Sequence, residues 1–214
     1  MSSSPIDQAI LYLHQHLAGE FRFDEHVRPM KVVVGPSGDL VAPVMVAMIE
    51  AADTVLFLPE DSEHALQVQV TVVPFKESGP EGALADRWRI YHGEPEDLSW
   101  AHLSIDAARY DGHVIDGEAL MCPNAIAAEE ARLCTFLNGL GADTIHRICQ
   151  RDLGVEIEQP VVVGVDQFGF DVRGRFSVFR VPSPRPMNTA AEAEATLRAI
   201  LEGPDRSSMT DQGV

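Results

Sequence analysis

Glu60, Asp61, Glu63 and His64 fall within five residues of "FLPEDSEHALQVQV". Carboxylate oxygens beside an imidazole suit a hard cation or zinc. They suit equally a solvated acidic cap, with Asp61 or Ser62 at a helix start where negative charge meets the positive end of the helix dipole. If extended structure begins early, His64 shares the face of Leu66, Val68 and Val70 and points inward. A second set, Asp111, His113 and Asp116 in "YDGHVIDGEAL", has metal-like types, but its two Asp-Gly pairs read more simply as tight turns.

Trp88, Tyr91 and Trp100 could stack on a flat ring, or fill a barrel core or a dimer interface. His14 and His16 are two apart on a helical pattern, so they face different ways and make a poor joint metal site. GxSxG, GxGxxG and Walker loops are absent, and "VGVDQFGFDVRG" lacks the spacing and closing glutamate of a calcium loop. Cys122, Cys134 and Cys149 form no CxxC pair, which favours reduced thiols over a disulfide framework or a zinc site.

These residues need elements to position them, and composition bounds what those elements are. The chain has 214 residues, 45% hydrophobic and 23% charged, as in an ordinary globular protein. Its net charge of −17 is concentrated before residue 126, a surface that repels phosphate backbones and anionic membranes and so argues against nucleic-acid binding. Lys31 and Lys76 are the sole lysines, so an anion site must lean on arginine or backbone amides. No apolar run approaches the roughly 18 residues of a membrane helix. "MSSSPIDQ" does not read as a secretory signal, and a cytoplasmic location is the default expectation.

Ser4 and Pro5 read as cap and first turn of an amphipathic helix carrying Ile6, Ile10, Leu13 and Leu17, until Gly19 stops the run. Six short strands are then predicted, in "RPMKVVV", "LVAPVMVAMI", "TVLFLP", "ALQVQVTVVPF", "RWRIYHG" and "YDGHVIDGEALM". "KESGPEGALAD" reads as a mobile surface loop between two of them. Strands of this number and spacing suggest a closed or partly closed antiparallel barrel. After Pro123, two helices, a hairpin and a capped helix ending at Gly203 follow, with residues 204–214 as a disordered tail.

This order resembles the haem-utilisation proteins, which join an FMN-binding split barrel like that of pyridoxamine 5′-phosphate oxidase to a small C-terminal domain of the DUF2470 type. "VGVDQFGFDVRGRFSVFRVPSPRP" is similar to the family's strand, Asp-x-x-Gly turn and Arg-Val-Pro ending, in Asp166, Gly169, Arg180, Val181 and Pro182. "LNGLGADTIHRIC" is similar to its Asn-x-Asp-His-Ala-Asp stretch in Asn138, Ala142 and Asp143, but Leu140 and Gly141 stand at the Asp and His positions. Neither replacement can bind iron or relay a proton; His146 lies one helical turn on. In the barrel, "LFLPEDSEHAL" resembles the turn that holds the FMN phosphate in flavin-binding members, through Ser62, His64 and Leu66. Three carboxylates stand there too, and one charge about 4 Å from a phosphate costs on the order of 4 kcal/mol at a surface dielectric. Phosphate binding at this turn therefore requires cations from neighbouring strands: Arg28, Lys31, Arg87 or Arg89.

The expected fold is α+β: an antiparallel split β-barrel with an N-terminal helix over residues 1–122, and a small α-α-β-β-α domain over 123–203. The resemblance implies FMN or haem bound by Arg28, Lys31, Ser62, His64, Arg87, Trp88 and Arg89, a homodimer, and an oxidoreductase activity. The contrasting expectation, from the acidic turn and from Leu140 and Gly141, is a degenerate member without cofactor that serves as a binding or protein-interaction module. No resident metal is expected.

Overall fold

The computed structural model describes residues 4–96 and 99–203, so the predicted tail lies outside the described residues. The chain divides into two compact units, one up to Asn124 and one from Ala125.

The first unit begins with α1 (Pro5–Gln15). Ser4 Oγ accepts from Asp7 N and Asp7 Oδ2 accepts from Ser4 N, both at 3.1 Å, a reciprocal box that satisfies two orphan donors. There follow β1 (Ala18–Phe23), β2 (His26–Lys31), β3 (Val33–Val34), β4 (Leu40–Val44), α2 (Val46–Glu50), β5 (Thr54–Leu58) and β6 (Leu66–Phe75). Next come α3 (Gly82–His92), β7 (Ser99–Tyr110), β8 (His113–Asp116) and α4 (Gly117–Leu120). The strands form one antiparallel sheet in the order β2-β1-β5-β6-β7-β4-β3, with β8 also on β7. The sheet curls into a half-barrel. β7 organises it: one edge pairs with β6, while β4 and β8 share the other.

The alternation expected of β6 holds: Leu66, Val68 and Val70 are buried, whereas Gln69 and Thr71 face solvent. With Phe21, Leu40, Leu56 and Leu103 they build the barrel core. Several expectations need correction, among them the end of "LVAPVMVAMI", which is α2, and the "GEAL" of "YDGHVIDGEALM", which is α4. "RWRIYHG" is no strand but the end of α3, because Ala85, Trp88 and Tyr91 recur every three residues and bury one helical face. "KESGPEGALAD" accordingly holds a turn and the first residues of that helix. The strand count exceeds six, since β1 and the twelve-residue β7 add to those expected.

The second unit holds α5 (Glu130–Asn138), α6 (Ala142–Leu153), β9 (Val161–Asp166), β10 (Gly169–Arg173), β11 (Val178–Pro182) and α7 (Ala190–Glu202). Its sheet has three strands, β11-β10-β9, so the expected hairpin is a meander. Thr189 Oγ1 accepts from Glu192 N and caps α7, which ends at Gly203 as expected. Leu133, Leu137, Ile145, Phe170, Val172 and Leu197 form the core.

Candidate functional site

One face of α3 is stitched to the backbone between β2 and β4. Trp88 Nε1 donates to the Lys31 carbonyl, His92 Nε2 to that of Val32 and Arg87 Nε to that of Val34, each at 2.9 Å. These bonds turn Trp88 and His92 toward β2. Ring centroids of the two lie 4.9 Å apart.

Beside them is a cavity of about 530 Å3, within the roughly 300–1,000 Å3 range of small-molecule pockets. Arg28 and Lys31 supply its positive charge, Met30, Met45 and Met48 line it, and so do Trp88 and His92. Glu94 and Glu96 also line it, and Glu94 bonds Arg89 at 3.2 Å. Burial pushes His92 down to about 4, the Val32 hydrogen bond opposing and the Lys31 ammonium adding to the shift. At neutral pH His92 is therefore an uncharged imidazole with its proton on Nε2 and a lone pair on Nδ1.

The residues expected to hold a cofactor separate into groups. Arg28, Lys31 and Trp88 share the cavity. Arg87, half-buried, bonds Val34 and reaches the Tyr91 hydroxyl at 3.2 Å, which makes it a fastener of α3. Arg89 lies over the Trp100 ring, 5.1 Å from its centroid, and pairs with Glu77, Asp86 and Glu94. Its hydrogen bond holds the Glu77 carboxyl below the usual carboxylate range, burial opposing. Ser62 and His64 are exposed in the turn between β5 and β6 and do not line the cavity. Because β6 starts only at Leu66, His64 does not join its inward face. In that turn Asp61 pairs with Arg22, and its backbone N–H donates to Glu20.

The second acidic set has structural duties. Asp111 and Gly112 have φ of 47° and 76° and turn β7 into β8. Asp116, expected in a turn, instead caps α4 by accepting from Glu118 N. No group of three or more His, Cys, Asp or Glu among the described residues could hold a metal ion. In the second unit the Asn138 side chain bonds both the N–H and the carbonyl of Val162 on β9, and Gly141, with φ of 86°, precedes α6. Arg180 bonds Asp171 at 2.9 Å and also Asp166, itself the acceptor for Phe168 N in the β9–β10 turn. These motif residues have evident structural work.

Two histidines outside the expected set have clear partners. His92 gains meaning only from Val32, sixty residues earlier. His102 on β7 sits between Asp39, 2.5 Å from Nδ1, and Glu81, 2.8 Å from Nε2, tying the turn before β4 to the residue before α3. No local motif in the sequence marks either one.

Across 94% of its length the chain is similar in structure to all of a protein of unknown function from Agrobacterium tumefaciens, at TM-score 0.73 and 15% identity. That likeness concerns the fold alone. A heme-binding protein from Mycobacterium smegmatis matches at TM-score 0.43 and 17% identity over 94% of this chain and 98% of its own. A pyridoxamine 5′-phosphate oxidase-like protein from Listeria innocua matches at TM-score 0.41 and 14% identity over 51% of this chain and all of its own. No protein-family model matches the sequence, and no curated protein is similar to it. Among the described residues no helix is long and apolar enough to cross a membrane.

Proposed function

We propose that the cavity beside α3 binds a flat anionic ring ligand, flavin or haem, and that the protein belongs with the haem-utilisation group. The observation that carries this is the gathering of Arg28, Lys31 and Trp88 on one cavity together with the neutral imidazole of His92. Trp88 offers a ring wall. Arg28 and Lys31 are exposed cations suited to phosphate or carboxylate groups, Arg28 through a guanidinium fork. His92 Nδ1 accepts a hydrogen bond from the ligand. A bound flavin or haem would supply electron-transfer chemistry that no side chain here has.

A homodimer belongs to this reading. β2 is an edge strand with His26, Val27, Arg28 and Pro29 exposed, and Arg28 both lines the cavity and sits on that edge. The contrasting reading, a non-enzymatic binding module without cofactor, is favoured by one observation: the 60–64 turn is acidic, and Asp61 already pairs with Arg22.

The absorption spectrum of freshly purified protein, followed by titration with FMN and with haemin, decides between the two. A flavin or Soret band, or saturable binding of either compound, supports the ring ligand and tells flavin from haem. A protein that is colourless as purified and binds neither compound saturably rejects it.

A further inference from the structure

Arg89 does not line the cavity beside α3, yet it holds the segment that does. After α3 the chain turns at Gly93, with φ of 86°, whose N–H donates to the Arg89 carbonyl at 2.8 Å. One residue on, Glu94 Oε2 accepts from Arg89 Nε at 3.2 Å. The backbone and the side chain of one residue thus fasten the start of a wall formed by Glu94, Pro95 and Glu96.

The guanidinium has further partners of its own. Its Nη1 lies 2.7 Å from Glu77 Oε1 and 3.3 Å from Asp86 Oδ1, and its Cζ stands 5.1 Å from the centre of the Trp100 ring. Glu77 in turn accepts from Trp100 Nε1 at 3.2 Å. Trp100 is 3% exposed, so the network is anchored on a buried ring. Of the three carboxylates on Arg89, Glu94 alone lines the cavity.

That matters because the cavity carries charges of both signs. Arg28 and Lys31 draw an anion in, whereas Glu94 and Glu96 repel it. A carboxylate paired with a guanidinium has much of its field cancelled, and the same carboxylate released from it does not. We propose that Arg89 is a positioning residue that sets the anion selectivity of this cavity by keeping Glu94 paired. The inference rests on the anion-binding reading of the cavity and adds to it a residue outside the lining. Its signature is a coupling between two residues. Loss of Arg89 hinders an anion only while Glu94 is present, because Glu77 and Asp86, the other acids on Arg89, lie outside the cavity lining. An Arg89 acting through its own charge would matter with or without Glu94. An Arg89 acting only as a structural brace would affect charged and uncharged probes alike.

The test needs no ring ligand. Lys31 is exposed, lines the cavity and has Lys76 as the only other lysine, so its labelling can be followed site by site by mass spectrometry. The full chain is treated with an anionic amine reagent, trinitrobenzenesulfonate, and with an uncharged one, acetic anhydride. The ratio of the two rates at Lys31 reports the charge an anion meets there. Arg89→Gln is expected to lower this ratio about twofold to fivefold, the scale of an exposed ion pair. Glu94→Gln should leave it at or above the wild-type ratio, and the double variant should match Glu94→Gln. In about 1 M salt, where the screening length falls to roughly 3 Å, the differences should vanish. An unchanged ratio in Arg89→Gln overturns the proposal, as does a double variant as low as Arg89→Gln, or an equal fall in both rates. Should Arg89→Gln fail to fold, Arg89→Met, which keeps an apolar stem of similar reach, takes its place in the comparison. If FMN and haemin do not bind, the ring-ligand reading falls while the labelling ratio still decides the role of Arg89.

Discussion

The Nε2 of His92 lies 2.9 Å from the carbonyl oxygen of Val32, joining the last residue of α3 to the chain between β2 and β3. The bond fixes the tautomer, while burial decides the charge and holds the group at about 4 rather than its usual 6.5.

A pH dependence follows. Between pH 4 and 6.5 the unfolded chain binds the His92 proton and the folded chain does not, so in this window stability rises with pH. The contribution is fully present above pH 6.5 and is lost as the pH falls toward 4. It amounts to about 3 kcal/mol by the equivalence of a pKa unit to roughly 1.4 kcal/mol. Urea unfolding across this range should show the slope, and His92→Gln should flatten it. Equal slopes in both proteins would remove His92 from the account.

Arg28 and Lys31 test the ring-ligand reading at single residues. Both are exposed, so glutamine at either position should leave the melting temperature almost unchanged. Each lost charge-assisted contact is worth about 1.5–3 kcal/mol, which predicts a rise of roughly tenfold or more in the Kd of FMN or haemin. Ser62→Ala and His64→Ala should leave that Kd as it is, because neither residue lines the cavity. Calorimetric titration of the four variants reads the contrast.

What is legible in the sequence follows the range of the interactions concerned. The cap of α1 rests on Ser4, Pro5 and Asp7, and the burial of β6 on strict alternation, so both are readable locally. α3 reads as a strand because Arg87 and Arg89 alternate with Trp88 and Ile90. The helical face becomes visible only when Ala85 is included. β7 carries no strand signal because "SWAHLSIDAARY" is rich in alanine and serine and takes its strand state from β6, β4 and β8. Arg28, Lys31 and Trp88 stand out as candidates from charge and ring alone. Their company with Met30, Met48 and His92 depends on contacts across sixty residues, which no local spacing encodes.

Gly169 opens β10 with φ of 152°, and a Cβ there would stand 2.2 Å from the Val181 carbonyl oxygen and 3.0 Å from Pro182 Cα. Both atoms are backbone, so relief would require β11 to move away from β10. Gly169→Ala should therefore destabilise the protein by clearly more than the roughly 1 kcal/mol of an ordinary backbone-entropy effect. The loss should appear as a fall in the urea midpoint. Alanine at the exposed Gly112, where a Cβ meets nothing within 4 Å, serves as the comparison for positive φ without the clash.

Removing Arg180 should cost the second unit heavily. Its side chain is 4% exposed, against 6% for Asp171 and 13% for Asp166, the two carboxylates it serves. Burying charge is costly in itself, so the arrangement is weak evidence of net stabilisation. Breaking it is a different matter, because Arg180→Met would leave two carboxylates in low-dielectric surroundings without their guanidinium. The expected loss is about 3–5 kcal/mol at neutral pH. Protonation relieves carboxylates that have lost their guanidinium, so the deficit should shrink as the pH is lowered toward 4. Pairing Arg180→Met with Asp171→Leu should recover part of the stability, since only one carboxylate then stays buried. Urea titrations of the single and double variants at pH 7 and pH 4.5 measure both effects. A deficit independent of pH would show that Arg180 acts through its packing rather than its charge.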